Sequence, residues 1–138
     1  MSKARGYTKE TIATMFGQKN RNNFPDFKVG DCIEVGQRIR EGDKERVQMF
    51  EGDVIAIRNH GESSTFTVRR IGAHNVAIER IFPYASPRIA SIRFVHHGDV
   101  RRAKLFFIRR RVGKAARVAE KVLTREQKEA QNSAASAA

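Results

Sequence analysis

The side chains that could make or break bonds in this sequence are few. They are His60, His74, His96 and His97, the single cysteine Cys32, and the carboxylates Glu51, Asp53 and Glu79. Metal binding or acid–base catalysis needs such groups to converge on one point. His96 and His97 are adjacent, so on a strand they face opposite ways. A metal site would need a convergent third ligand, and no motif with ligand spacing offers one. Cys32 sits in a strand pattern with no nucleophile motif beside it, and it reads as a small buried hydrophobe. The carboxylates read as structural partners of nearby arginines. Glycine-rich phosphate loops are absent. The expectation is therefore no catalytic residue, no metal, no cofactor and no small-molecule substrate.

What the chain does carry in abundance is positive charge. Its 138 residues hold 27 Lys or Arg against 15 Asp or Glu, a net +12 with a pI near 10.7. Residues 101–128 hold eleven Lys or Arg against Glu120 and Glu126, a net +9 of that +12. The densest stretch is residues 101–117, RRAKLFFIRRRVGKAAR, where eight cationic residues surround the apolar Leu105, Phe106, Phe107 and Ile108. Such a run repels itself and is tolerated beside a dense polyanion. Arginine outnumbers lysine, and its planar fork bridges phosphate oxygens or stacks on bases, which favours structured RNA. The candidate contacts are Arg101, Arg102, Lys104, Arg109, Arg110, Arg111, Lys114, Arg117 and Lys121. Arg69 and Arg70 form a further single-sign block on the folded domain.

Something must position these cations. The length supports one domain with extensions. A lone cysteine permits no internal disulfide and suits a reducing, cytoplasmic setting. No apolar run approaches the roughly 20 residues of a membrane helix, and none forms a secretory signal, so no membrane partner is expected. Residues 1–23 read as a basic N-terminal arm, with a faint likeness to an organelle transit peptide.

Between residues 24 and 112 the pattern is that of short strands. Ile33, Val35 and Ile39 alternate, residues 41–44 turn, and Arg46 to Arg58 continue as a second strand in which Gly52 predicts a bulge or bend. Residues 65–68, 76–82 and 89–95 supply further strands between turn signals at 59–62, 72–75 and 83–87. Residues 105–108, apolar on both faces, predict a strand buried on both sides, with Phe106 and Phe107 in the core. The fold class is all-β, a small curved barrel. After Gly113 the period becomes helical, and residues 113–126 predict a basic helix whose stripe holds Lys114, Arg117 and Lys121. Residues 127–138 form a polar tail with little to bury, expected to be disordered.

Several blocks then occur in a telling order. They are Phe50-Glu51-Gly52 with residues 54–59, Ser64 to Arg70, Glu79-Arg80-Ile81-Phe82-Pro83 with Ser86-Pro87, residues 98–105, and Gly113-Lys114-Ala115-Ala116-Arg117. In these the chain closely resembles the bacterial large-subunit ribosomal protein L-nineteen family, from about residue 24 to residue 121. The resemblance implies an SH3-like β-barrel with basic extensions and no enzymatic activity. It also implies binding to large-subunit ribosomal RNA near the subunit interface, through residues 101–117 and through Arg58, Arg69, Arg70 and Arg80 on the barrel, beside neighbouring large-subunit ribosomal proteins, with contacts to small-subunit ribosomal RNA. Asp53 departs from the family by adding an acid where an apolar or basic residue is usual, and the loop 72–77 is one residue longer. Two other readings stand beside this one: a free RNA-binding regulator built on an SH3-like barrel, and an RNA-processing enzyme, which the missing acid–base constellation disfavours.

Overall fold

Alternation of apolar and polar residues gives residues 32–41 one buried face, with Ile33 and Val35 inside and Arg38, Arg40 and Glu41 outside. In the computed structural model, which describes residues 24–122, this segment is strand β1 (Cys32–Glu41). Gly42, at φ 61°, turns the chain within two residues into β2 (Lys44–Arg58). Glycine takes that left-handed conformation without a Cβ penalty. The hairpin register runs unbroken from Glu41↔Lys44 back to Cys32↔Asp53. Strands β3 (Thr65–Ile71) and β4 (Ala77–Pro83) follow as antiparallel neighbours, and β5 (Ile89–His96) returns to pair with β1. The sheet order is β4-β3-β2-β1-β5.

The all-β class is therefore as expected, but the ladder does not close into a barrel: β4 and β5 remain the two edges of one sheet. The reason lies in residues 84–88, which join those edges. Their hydrogen bonds go to turns, Ser86 N to Pro83 O and Ile89 N to Ser86 O, and to other strands' ends. Tyr84 N–H donates to Ser64 O, and Arg88 O accepts from Arg38 N. The connection carries the chain around the core without laying β4 beside β5.

Two cores flank β2. The larger holds Ile33, Val35, Phe50, Val54, Phe66, Val68, Phe82, Ile89 and Ile92, lined by Phe27 and Tyr84. The smaller holds Ile55, Ala56, Leu105, Ile108 and Ala116. A register shift between Val54 and Ala56 on the β2–β3 ladder lets Ile55 and Ala56 both enter the smaller core. The bulge that Gly52 predicts thus lies just beyond it. Gly52 itself is required by a close approach, since a Cβ there would collide with the Arg69 backbone carbonyl.

The smaller core corrects two expectations. Residues 105–108 are not a strand. Lys104 makes a single bridge to Ala56, Leu105 N–H donates to Ile55 O at 2.8 Å, and the chain then coils into a 3-10 turn, Phe106–Arg110. At three residues per turn, Leu105 and Ile108 share the inner side, while Phe106 is 39% exposed. The two-sided apolarity of this segment reflects one buried face and one aromatic outer face. The helix expected over 113–126 is also absent across its described part. Gly113–Ala116 is a 3-10 turn, Arg117 is extended, and residues 118–121 run beside residues 97–99. Asp99 N–H donates to Ala119 O and Lys121 N–H to His97 O, each at 2.8 Å. Backbone pairing with residues 97–99, and burial of Ala116, outweigh the helical pattern: Val122, on its apolar stripe, is 89% exposed. The basic arm 1–23, residues 123–126 of the expected helix and the tail 127–138 lie outside the described residues.

Candidate nucleic-acid interface

The chain leaves the sheet at a joint built around Asp31. This carboxylate is buried and accepts from the Lys28 N–H at 2.7 Å and from the Gly98 N–H at 3.4 Å, with His97 Nδ1 at 3.1 Å. Gly98 packs so closely on Gly30 that a Cβ would overlap the Gly30 carbonyl. Residues 101–117 therefore emerge from a fixed point, and Leu105, Ile108 and Ala116 anchor them at intervals to the smaller core.

Between those anchors the cations face outward. Arg101, Arg102, Lys104, Arg109, Arg110, Arg111, Lys114, Arg117 and Lys121 are all exposed, as are Arg58 and Arg70. Phe107, half-buried, carries two guanidinium groups over its ring, Arg102 at 4.9 Å and Arg111 at 4.7 Å from the centroid. Arg109 lies 4.6 Å over Phe106. An aromatic face attracts a cation without consuming its N–H donors. Phe107 packs one side against the smaller core, as expected, and Phe106 is exposed; together they hold Arg102, Arg109 and Arg111, a role signalled in the sequence by an aromatic pair between two arginine clusters. Arg70 and Arg117 line one groove together with Arg69, Ile108 and Ala116.

Three candidates are engaged within the fold. Arg69 is buried, directly opposite Glu79 on the β3–β4 ladder, and its Nη1 donates to Glu79 Oε1 at 2.6 Å. Arg109 forks onto the same carboxylate, Nε to Oε1 at 3.0 Å and Nη2 to Oε2 at 2.7 Å. The expected pairing of Glu79 with nearby arginines is what the structure shows. Hydrogen bonds from Arg109 first, opposed by desolvation, and then from Arg69 hold the Glu79 carboxyl below its ordinary range. Arg80 is half-buried on the opposite side, 4.9 Å over the Phe50 ring and donating to Gln37 Oε1 at 3.2 Å. Among the described residues, Arg69 and Arg109 are the only candidate cations in an arginine–carboxylate ion pair.

The groups with bond-making potential separate as the strand geometry requires. His97 turns to Asp31, while His96 turns to the opposite face. His60 and His74 are exposed on loops. Cys32 is buried, as expected. Burial, then the Asp53 and Glu51 carboxylates, push its thiol up to about 12, which leaves it protonated and unsuited to nucleophilic attack. Burial also raises the Asp53 carboxyl, against the opposing Val118 N–H and the nearby His96. Asp53 has no arginine ion pair among the described residues; its near neighbours are Cys32 and His96. Sequence reasoning did not bring these three together, because the convergence depends on strand register.

Comparison with known proteins points the same way as this geometry. Residues 10–121 match the family model described as Ribosomal protein L19, which extends the likeness into the basic arm. The chain is 51% identical over 113 residues to the large ribosomal subunit protein bL19 of Clostridium botulinum (strain Loch Maree / Type A3), covering 82% of this chain and 98% of the relative. It is 55% identical over 98 residues to the protein of the same name from Campylobacter jejuni (strain RM1221), covering 71% of this chain and 83% of that one.

Proposed function

This chain belongs to the ribosomal protein L19 family, and we propose that it is a structural, non-enzymatic constituent of the large ribosomal subunit. The relatives are bacterial proteins named for that subunit, which supports a bacterial, cytoplasmic ribosome as its setting. Its work is to neutralise and fix ribosomal RNA. The observation that carries this reading is the outward band of residues 101–117, in which Arg102, Arg109 and Arg111 are held on Phe106 and Phe107 and three buried side chains anchor the segment. Pre-positioned guanidinium groups lose less side-chain entropy on meeting phosphate than free ones do. Arg101, Arg102, Lys104, Arg110, Arg111, Lys114, Arg117 and Lys121 supply the principal contacts, with Arg58 and Arg70 at the margin. Arg69 acts inside the fold, and Arg109 divides its fork between Glu79 and RNA. Neighbouring large-subunit proteins, and small-subunit RNA at the interface, complete the set of partners.

Charge reversal at Lys114 and Arg117 tests the reading. Both side chains are exposed and lack ion pairs among the described residues, so the double variant is expected to keep a melting temperature close to that of the parent. Its incorporation into large subunits should fall. An equal loss of both would make the pair structural and remove its assigned role.

A further inference from the structure

Three ligand-bearing side chains converge where three strands meet. Cys32 on β1 stands opposite Asp53 on β2 and opposite His96 on β5 in the two ladders that flank it. One thiol sulfur, one carboxylate oxygen and one imidazole nitrogen lie within 4.8 Å of one another. None of the three belongs to the cationic band, and the RNA-binding role makes no use of them.

We infer that Cys32, Asp53 and His96 form a binding site for a single zinc-type divalent cation, stapling β1, β2 and β5 together. Sulfur, nitrogen and oxygen from one residue each is a donor set that suits zinc, whereas magnesium and calcium take oxygen ligands. Tetrahedral coordination at bond lengths of about 2.0–2.3 Å separates ligand atoms by about 3.5 Å. Closing from 4.8 Å to that separation needs side-chain adjustments of only about 1 Å. The fourth position opens onto a cavity of about 460 Å³, lined in part by Glu51 and Glu34, where water completes the shell. Arg69, Arg70 and Arg117 also line this cavity and oppose a cation, though Arg69 is paired to Glu79. The site carries its own negative charge to meet them, because a coordinated thiol gives up its proton to solvent and binds as thiolate. Glu34 is meanwhile paired to Arg93, at 2.8 Å.

The inference stands apart from the ribosomal role, so its test uses the full chain without RNA. Cobalt(II) is titrated into the reduced protein as a spectroscopic substitute for zinc. The expected result is uptake of one equivalent with a thiolate-to-cobalt charge-transfer band, erased by added zinc, together with a zinc-dependent rise in melting temperature. Cys32→Ser should abolish that band, and His96→Gln and Asp53→Asn should each weaken cobalt binding by about tenfold or more. A cobalt spectrum of the unaltered chain lacking the thiolate transition would overturn the site, without relying on any variant to fold. Undiminished cobalt affinity in both Cys32→Ser and His96→Gln would overturn it equally.

Discussion

Affinity of the isolated chain for a large-subunit ribosomal RNA fragment is expected to fall roughly a thousandfold between about 50 and about 200 mM salt, if the region 101–128 meets about six phosphates. The drop follows from counterion release, in which each neutralised phosphate adds close to one unit of slope to log K against log salt. The structure says which cations to count. Arg69 is buried and Arg109 is half committed to Glu79, so neither contributes a full charge. Arg101, Arg102, Lys104, Arg110, Arg111, Lys114 and Arg117 are exposed and lack ion pairs among the described residues. Binding isotherms across a salt series measure the slope directly, and Arg110→Ala should lower it by about one unit. A salt-independent affinity would mean that the phosphate contacts do not dominate.

Glu79→Ala is expected to destabilise the fold by about 3 kcal/mol, the low end of the cost of leaving one member of a buried pair uncompensated. The cost comes from Arg69, only 9% exposed, whose Nε already has no partner among the described residues. Arg109 is about half exposed and contributes little once solvent screening is allowed for, even though its hydrogen bond is the largest cause of the lowered Glu79 carboxyl. The same pairing has a pH signature. A carboxyl depressed from its ordinary 4.5 binds its proton more weakly when folded than when unfolded. Its stabilisation is present above that ordinary value and is lost as pH falls through the lower, folded one. Chemical denaturation of the parent and of Glu79→Gln, compared from neutral pH down through this window, should show the gap narrowing in acid. A Glu79→Ala variant as stable as the parent would mean that Arg69 finds water in place of its partner.

Strand existence and sequence order were legible because alternation is a local signal: Ile33 and Val35 on β1, or residues 65–68 on β3, need no tertiary information to be read. Non-local pairing decided the rest. Residues 105–108 look like a doubly buried strand until the single Lys104–Ala56 bridge shows where pairing stops and the 3-10 turn begins. Residues 113–122 have helical periodicity, yet backbone pairing at Asp99, Gly98 and His97 draws their end out straight. The open β4 and β5 edges likewise depend on how residues 84–88 spend their hydrogen bonds. At the interface, charge density named the right segment, since eight of the nine cations in 101–121 remain outside the ion pairs of the described fold. It could not separate Arg69 from Arg70: one faces Glu79 in the sheet and the other faces solvent, a distinction that register alone makes. The Cys32, Asp53 and His96 cluster was invisible for the same reason.

Sedimentation of large ribosomal subunits from cells producing a tagged form of this chain tests the central claim most directly. The chain should travel with the large subunit at close to one copy per particle and remain there through a moderate salt wash. A chain that stays at the top of the gradient, or leaves the particle under that wash while the other large-subunit proteins remain, would contradict a structural role and favour a free RNA-binding regulator.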